Sequence, residues 1–160
     1  MIITAWRLVK TRHLAHAFEG EGAHRFGGRW NSPGVAVVYV AESLALAALE
    51  VLVHAQDRAA LVACSAIPVR FDERLVRVLP DASLPGNWNR SPFAAATQAL
   101  GDEWARSAAT AVLRVPSAVV SSEHIYVINP AHPAFRRVRI GRAAPFAFDA
   151  RLVRSGSARG

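Results

Sequence analysis

Three side chains capable of joint chemistry sit in one stretch, Phe26 to His54, which reads FGGRWNSPGVAVVYVAESLALAALEVLVH. They are Arg29, Tyr39 and Glu50. Arginine offers a planar, two-pronged donor set that suits phosphate. A carboxylate beside a sugar stabilises an oxocarbenium-like centre. A tyrosine ring stacks on a flat ring, more so on a cationic one. Together these roles describe cleavage of an N-glycosidic bond next to a phosphate, the chemistry that NAD presents. A buried Arg–Glu pair beside a core tyrosine accounts for the same residue types, and on residue types alone this plainer account leads.

The surrounding elements must bring the three together. A glycine pair (Gly27, Gly28) precedes Arg29 and Trp30, which look exposed, and Asn31-Ser32-Pro33-Gly34 is a strong turn signal. Val35–Val40 then reads as a buried strand from its β-branched run. Residues 42–56 form the most secure helix, rich in Ala and Leu, with Glu42 in its first turn. Glu50 falls in its middle, flanked by Leu46, Leu49, Val51 and Val53. A charge there without a partner is costly, and the nearest strong candidate partner is Arg29. His54 lies one turn beyond Glu50 on the same face, but EVLVH lacks the HExxH zinc spacing.

Elsewhere the pattern is that of an α+β domain. Residues 2–9 read as a strand with Trp6 on one face. Residues 10–25 read as a short helix and loop carrying His13, His16, His24, Glu19 and Glu21, with no spacing that demands a metal. Residues 61–71 form a strand whose Pro68 implies an edge or bulge, and residues 75–79 another short one. In the polar loop 80–92, Trp88 is either a lid over the core or a contact to something bound. Ser91-Pro92 opens a helix to Ser107 with Phe93, Leu100 and Trp104 inward. From Ala111 the segments AVLRVPSAVV, IYVINP, FRRVRI and PFAF are strand-like. The expected fold is a single compact domain, residues 1–150, with a central mixed or antiparallel sheet and flanking helices. Residues 151–160 read as a flexible tail.

No GxSxG elbow surrounds Ser117, so it reads as a turn or hydrogen-bonding serine, and proline-bracketed His132 as structural. GEGAHRFGG does not match GxGxxG, and no P-loop is present. The 160 residues are 52% hydrophobic and 19% charged, a globular balance. No apolar run nears the roughly 18–20 residues of a membrane span, and MIITAWRLVK is no secretory signal. Cys64 is the single cysteine, which excludes an internal disulfide framework. A cytoplasmic location is the default. The net charge of +7 is nearly all arginine, with Lys10 the single lysine. The densest group, Arg136, Arg137, Arg139 and Arg142, alternates with apolar residues as an edge strand would. Without a helix-turn-helix or interleaved aromatics, this reads as a solvated or partner-facing surface rather than a nucleic-acid reader.

Several blocks in order, GGRWNSPG, VVYVAES, LALAALEVLVH, VPSAVV and INPAHP, resemble the RES domain, named for an Arg, a Glu and a Ser that match Arg29, Glu50 and Ser117. GDEW at 101–104 and FDARL near the end fit too. The resemblance implies a toxin of a bacterial type II toxin–antitoxin pair with an ADP-ribosyltransferase-like fold. It implies an Xre-like helix-turn-helix antitoxin as partner, through which any DNA contact runs, and a homodimer within that complex. It implies depletion of NAD as substrate by hydrolysis or by phosphorolysis with inorganic phosphate, and no separate cofactor or metal. In some members the activity is ADP-ribosylation of a protein. It assigns NAD recognition to Arg29, the nicotinamide side to Tyr39 and the key carboxylate to Glu50. Substrate contacts fall to Ser117, Gly28, Trp30 and Asn31. Ile125 stands where relatives tend to carry Asn, so a polar role there is not carried over. Two other classes compete: a basic module that binds nucleic acid, and a non-enzymatic protein that docks an acidic partner.

Overall fold

The computed structural model describes residues 1–154. Its strands are β1 (Ile2–Lys10), β2 (Val38–Ala41), β3 (Cys64–Asp72), β4 (Val76–Val78), β5 (Val112–Pro116), β6 (His124–Ile128), β7 (Arg139–Ile140) and β8 (Ala144–Phe146). The α-helices are α1 (Glu21–Phe26), α2 (Leu44–His54), α3 (Ala95–Ser107) and α4 (Ala150–Val153). One sheet runs β4-β5-β6-β2-β1-β3-β7, with β8 also on β3. β4–β5 pair in parallel and the other described pairs are antiparallel. The expected α+β architecture with a mixed sheet is therefore present.

Alternation along the strands sends side chains to two cores. Leu113, Val115, Ile125 and Val127 join Trp30, Leu46, Leu52 and Trp104 on the face that α2 and α3 cover. Val112, Tyr126, Ile128, Val69 and Phe71 form the other face, where Phe71 and Tyr126 meet edge-on at 5.2 Å. The longest pairing, Ile2↔Asp72 to Lys10↔Cys64, makes β1–β3 the spine. Pro68 sits inside this sheet, where the outer neighbour of β3 changes from β8 at Ala66 to β7 at Val69. That local break in the ladder is where a missing N–H does least harm.

Helix boundaries differ from the sequence expectation for identifiable reasons. α2 starts at Leu44 rather than at residue 42, because Ser43 caps it and accepts from the Leu46 N–H at 3.1 Å. Glu42 lies outside the helix and instead accepts from the His124 backbone N–H at 2.9 Å. α3 begins at Ala95, past Ser91-Pro92, and Phe93 stays 37% exposed. FRRVRI is mostly not a strand. His132 Nδ1 accepts the Ala134 N–H at 3.0 Å and Pro133 follows, starting a 3-10 turn over Pro133–Arg137. Two residues then remain for β7, with the four arginines exposed along the segment. The structural reading of His132 holds: its Nε2 donates to Ala108 O at 2.9 Å.

His13, His16 and His24 are exposed, and no metal-holding group of three or more His, Cys, Asp or Glu occurs among the described residues. No helix among them is long and apolar enough to cross a membrane. The expected tail begins as the turn α4, capped by Asp149 with Val153 packed on the core. Residues 155–160 of that tail lie outside the described residues.

Candidate active site

The loop after α1 is folded by its own polar side chains. Gly27 adopts φ +72°, and a tight turn follows in which the Gly28 N–H donates to Asn31 O at 2.9 Å. Asn31 is fully buried: its Nδ2 donates to Ala23 O at 2.8 Å and Val35 O at 3.0 Å, and its Oδ1 accepts from Tyr39 Oη at 2.6 Å. Tyr39 Oη in turn accepts the Trp30 N–H at 3.1 Å. From α3, Gln98 Nε2 donates to Gly28 O at 3.1 Å, and Asp102 Oδ1 accepts the Ser32 N–H at 2.9 Å. Trp30, expected on the surface, is 1% exposed and belongs to the core. Of the expected substrate contacts, Trp30 is buried in the core and Asn31 has its side-chain amide engaged within the loop. They hold the turn that presents Arg29. Gly28 belongs to the same device, since a Cβ there would meet Tyr39 Oη at 2.8 Å.

Arg29 stands at the tip of this turn. Its Nη1 donates to the carbonyls of Trp88 and Arg90, both at 2.8 Å, and its guanidinium lies 5.9 Å from the Phe93 ring centroid. The Trp88 ring packs on the core, so this residue is both a lid and a brace for Arg29. Nε and Nη2 of Arg29 have no hydrogen-bond partner among the described residues, leaving one edge of the guanidinium for a ligand. Partial burial lowers its pKa and the charge of Glu50 opposes that shift.

Glu50 projects from α2 with its side chain 24% exposed. Ser117 Oγ donates to Glu50 Oε1 at 3.1 Å, and His54 Nε2 lies 3.5 Å from Oε2. Ser117 is fully buried, and its Oγ also accepts the N–H groups of Val119 and Val120, each at 3.1 Å. With two amides donating to the oxygen, its proton is directed at Glu50. Ser117 is therefore a hydrogen-bonding residue that aims the carboxylate, as its sequence context implied.

The expected Arg29–Glu50 ion pair is not formed among the described residues. Each charge is braced by other groups, and the buried-pair account fails on geometry. Tyr39 is correspondingly not free to use its hydroxyl. Burial pushes its phenol upward, and it donates to Asn31, so at neutral pH only its half-buried ring is available for packing. Arg7 reinforces the strand, its Nη1 donating to Tyr39 O at 3.1 Å; burial lowers this guanidinium to about 10, still charged near neutrality. Ile125 is 7% exposed in the apolar core beside β5, a place that suits its side chain.

Tyr39→Phe is expected to cost about 1–3 kcal/mol, because it leaves buried Asn31 Oδ1 and the Trp30 N–H without a partner. Urea unfolding of the two proteins measures it; an unchanged midpoint contradicts the bracing role.

An α+β domain with a braced arginine and a serine-held carboxylate is the class that fold and site define. The chain belongs to the RES domain family, whose model matches residues 4–149. A curated protein of Yersinia enterocolitica called Toxin Res is 38% identical over 149 residues, covering 92% of this chain and 97% of that protein. The "Prs ADP-ribosylating toxin" of a Sphingobium strain is 33% identical over 159 residues, covering 96% and 99%. Among solved structures, the chain is similar to one in the toxin–antitoxin complex MbcT–MbcA of M. tuberculosis, with TM-score 0.74 and 21% identity over 91% of this chain and 85% of that one.

Proposed function

We propose that this chain is the toxin of a toxin–antitoxin pair and acts on NAD in the cytoplasm by breaking its nicotinamide–ribose bond. The observation that carries this reading is the pairing of a partly exposed, Ser117-held Glu50 carboxylate with an Arg29 guanidinium that keeps one unpartnered edge. The names of the Yersinia and Sphingobium relatives support it.

In this account the free edge of Arg29 takes a phosphate oxygen of the substrate. The Tyr39 ring packs on the nicotinamide side. Glu50 stabilises positive charge on the ribose as the C–N bond lengthens, or orients the ribose hydroxyls. The bonding pair passes to the pyridinium nitrogen, so nicotinamide departs neutral. Water or inorganic phosphate then adds to the anomeric carbon and releases its proton, by hydrolysis or phosphorolysis. A protein acceptor is the second reading, favoured by the ADP-ribosylating name of the Sphingobium relative. The partner we propose is an Xre-like antitoxin that covers the site or narrows its entrance; full NAD turnover by the purified complex would count against that.

The roles test separately. Ser117→Ala removes the donor to Glu50 and the acceptor for two amides, and is expected to lower NAD turnover about tenfold or more. Nicotinamide release measured by chromatography, with and without phosphate, reads this and separates the acceptors. Free ADP-ribose marks hydrolysis, a phosphorylated sugar marks phosphorolysis, and a labelled protein marks transfer.

A further inference from the structure

Beyond His54 a cleft of about 1060 Å³ opens, bounded by the end of β1, residues 11–16, α1 and the C-terminal end of α2. His54 lines this cleft and its Nε2 lies 3.5 Å from Glu50 Oε2, so one side chain separates the cleft from the carboxylate. Two observations on its wall point to a ligand. Phe26 is 72% exposed, unusual for so large an apolar ring, with the Arg25 guanidinium 5.2 Å from its centroid. Arg25 and Lys10, both on the wall, form no ion pair among the described residues. Of the three carboxylates on the wall, Glu19 is engaged with His16 at 3.0 Å and Asp57 with the Ala59 N–H at 2.9 Å, and Glu21 is exposed at the start of α1.

An exposed aromatic face beside unpaired cations, one step from a carboxylate, suits a purine joined to phosphates. We propose that this cleft is the subsite for the adenosine end of the substrate, with the purine stacked on Phe26 and the adenosine-side phosphate met by Arg25 and Lys10, while Arg29 takes the phosphate on the nicotinamide side. The inference rests on the NAD reading for its place in the reaction, but ADP binding tests it independently. The nicotinamide ribose then lies at Glu50, and the dinucleotide runs past His54 into the cleft.

The experiment is calorimetric titration of ADP into wild type, Phe26→Ala and Arg25→Gln, two surface substitutions outside the catalytic group. Wild type is expected to bind ADP, and each variant about tenfold more weakly. In turnover, Phe26→Ala should raise KM for NAD about tenfold with kcat held, and leave cleavage of nicotinamide mononucleotide unchanged, since that substrate lacks the adenylate. No ADP binding by wild type, equal binding by all three, or equal losses with both substrates would overturn the subsite. ADP bound as described without NAD cleavage would instead leave the subsite standing and sink the NAD reading.

Discussion

Glu50→Gln is expected to lower NAD turnover by about 10²–10³-fold, the usual loss when one preorganised electrostatic stabiliser is removed. The substitution keeps the shape of the side chain. The amide oxygen can still accept from Ser117 Oγ, now 3.1 Å from the carboxylate, so the α2–β5 junction is retained. What disappears is the negative charge facing the developing ribosyl cation. Melting should therefore change little while kcat collapses, and KM should move less than kcat because Arg29 still holds phosphate. Equal losses in stability and activity would instead return Glu50 to a packing role. Retained turnover would remove it from the chemistry.

Gly101→Ala should be the most damaging small change to the fold, costing about 3 kcal/mol or more. α3 lies so close to the Arg29 turn that a Cβ at Gly101 would collide with the Trp30 carbonyl oxygen, a backbone atom that no rotamer change can move. Either α3 lifts away, breaking Gln98 and Asp102 from the turn, or the turn itself shifts and Arg29 goes with it. For a domain of this size the melting temperature should fall by roughly 6–12 °C. Gly86→Ala is the control, since a Cβ there meets nothing within 4 Å. A Gly101→Ala protein as stable as that control would mean the close packing of α3 on the turn is wrong.

The parts of this molecule governed by local rules were legible in its sequence. The β-branched run into β2, the Ala/Leu-rich α2 and the glycine-flanked turn carrying Arg29 all come from short-range preferences. Long-range partners were not legible. The group that holds Glu50 is Ser117, 67 positions away, and Gln98 and Asp102 reach the turn across 70 positions from α3. Sequence proximity pointed to Arg29 instead. Trp30 was misplaced because a tryptophan within a glycine-rich loop looks exposed, whereas here the loop folds back over the core. FRRVRI alternates like an edge strand, yet the His132–Pro133 start commits it to a 3-10 turn.

The central claim is most directly tested by proton NMR of NAD mixed with the purified chain, with and without inorganic phosphate. Free nicotinamide is expected to appear in step with loss of NAD, and Arg29→Gln and Glu50→Gln are each expected to suppress it. NAD that stays intact under every condition, with no ADP-ribosyl group appearing on any protein of a cell lysate, would contradict it.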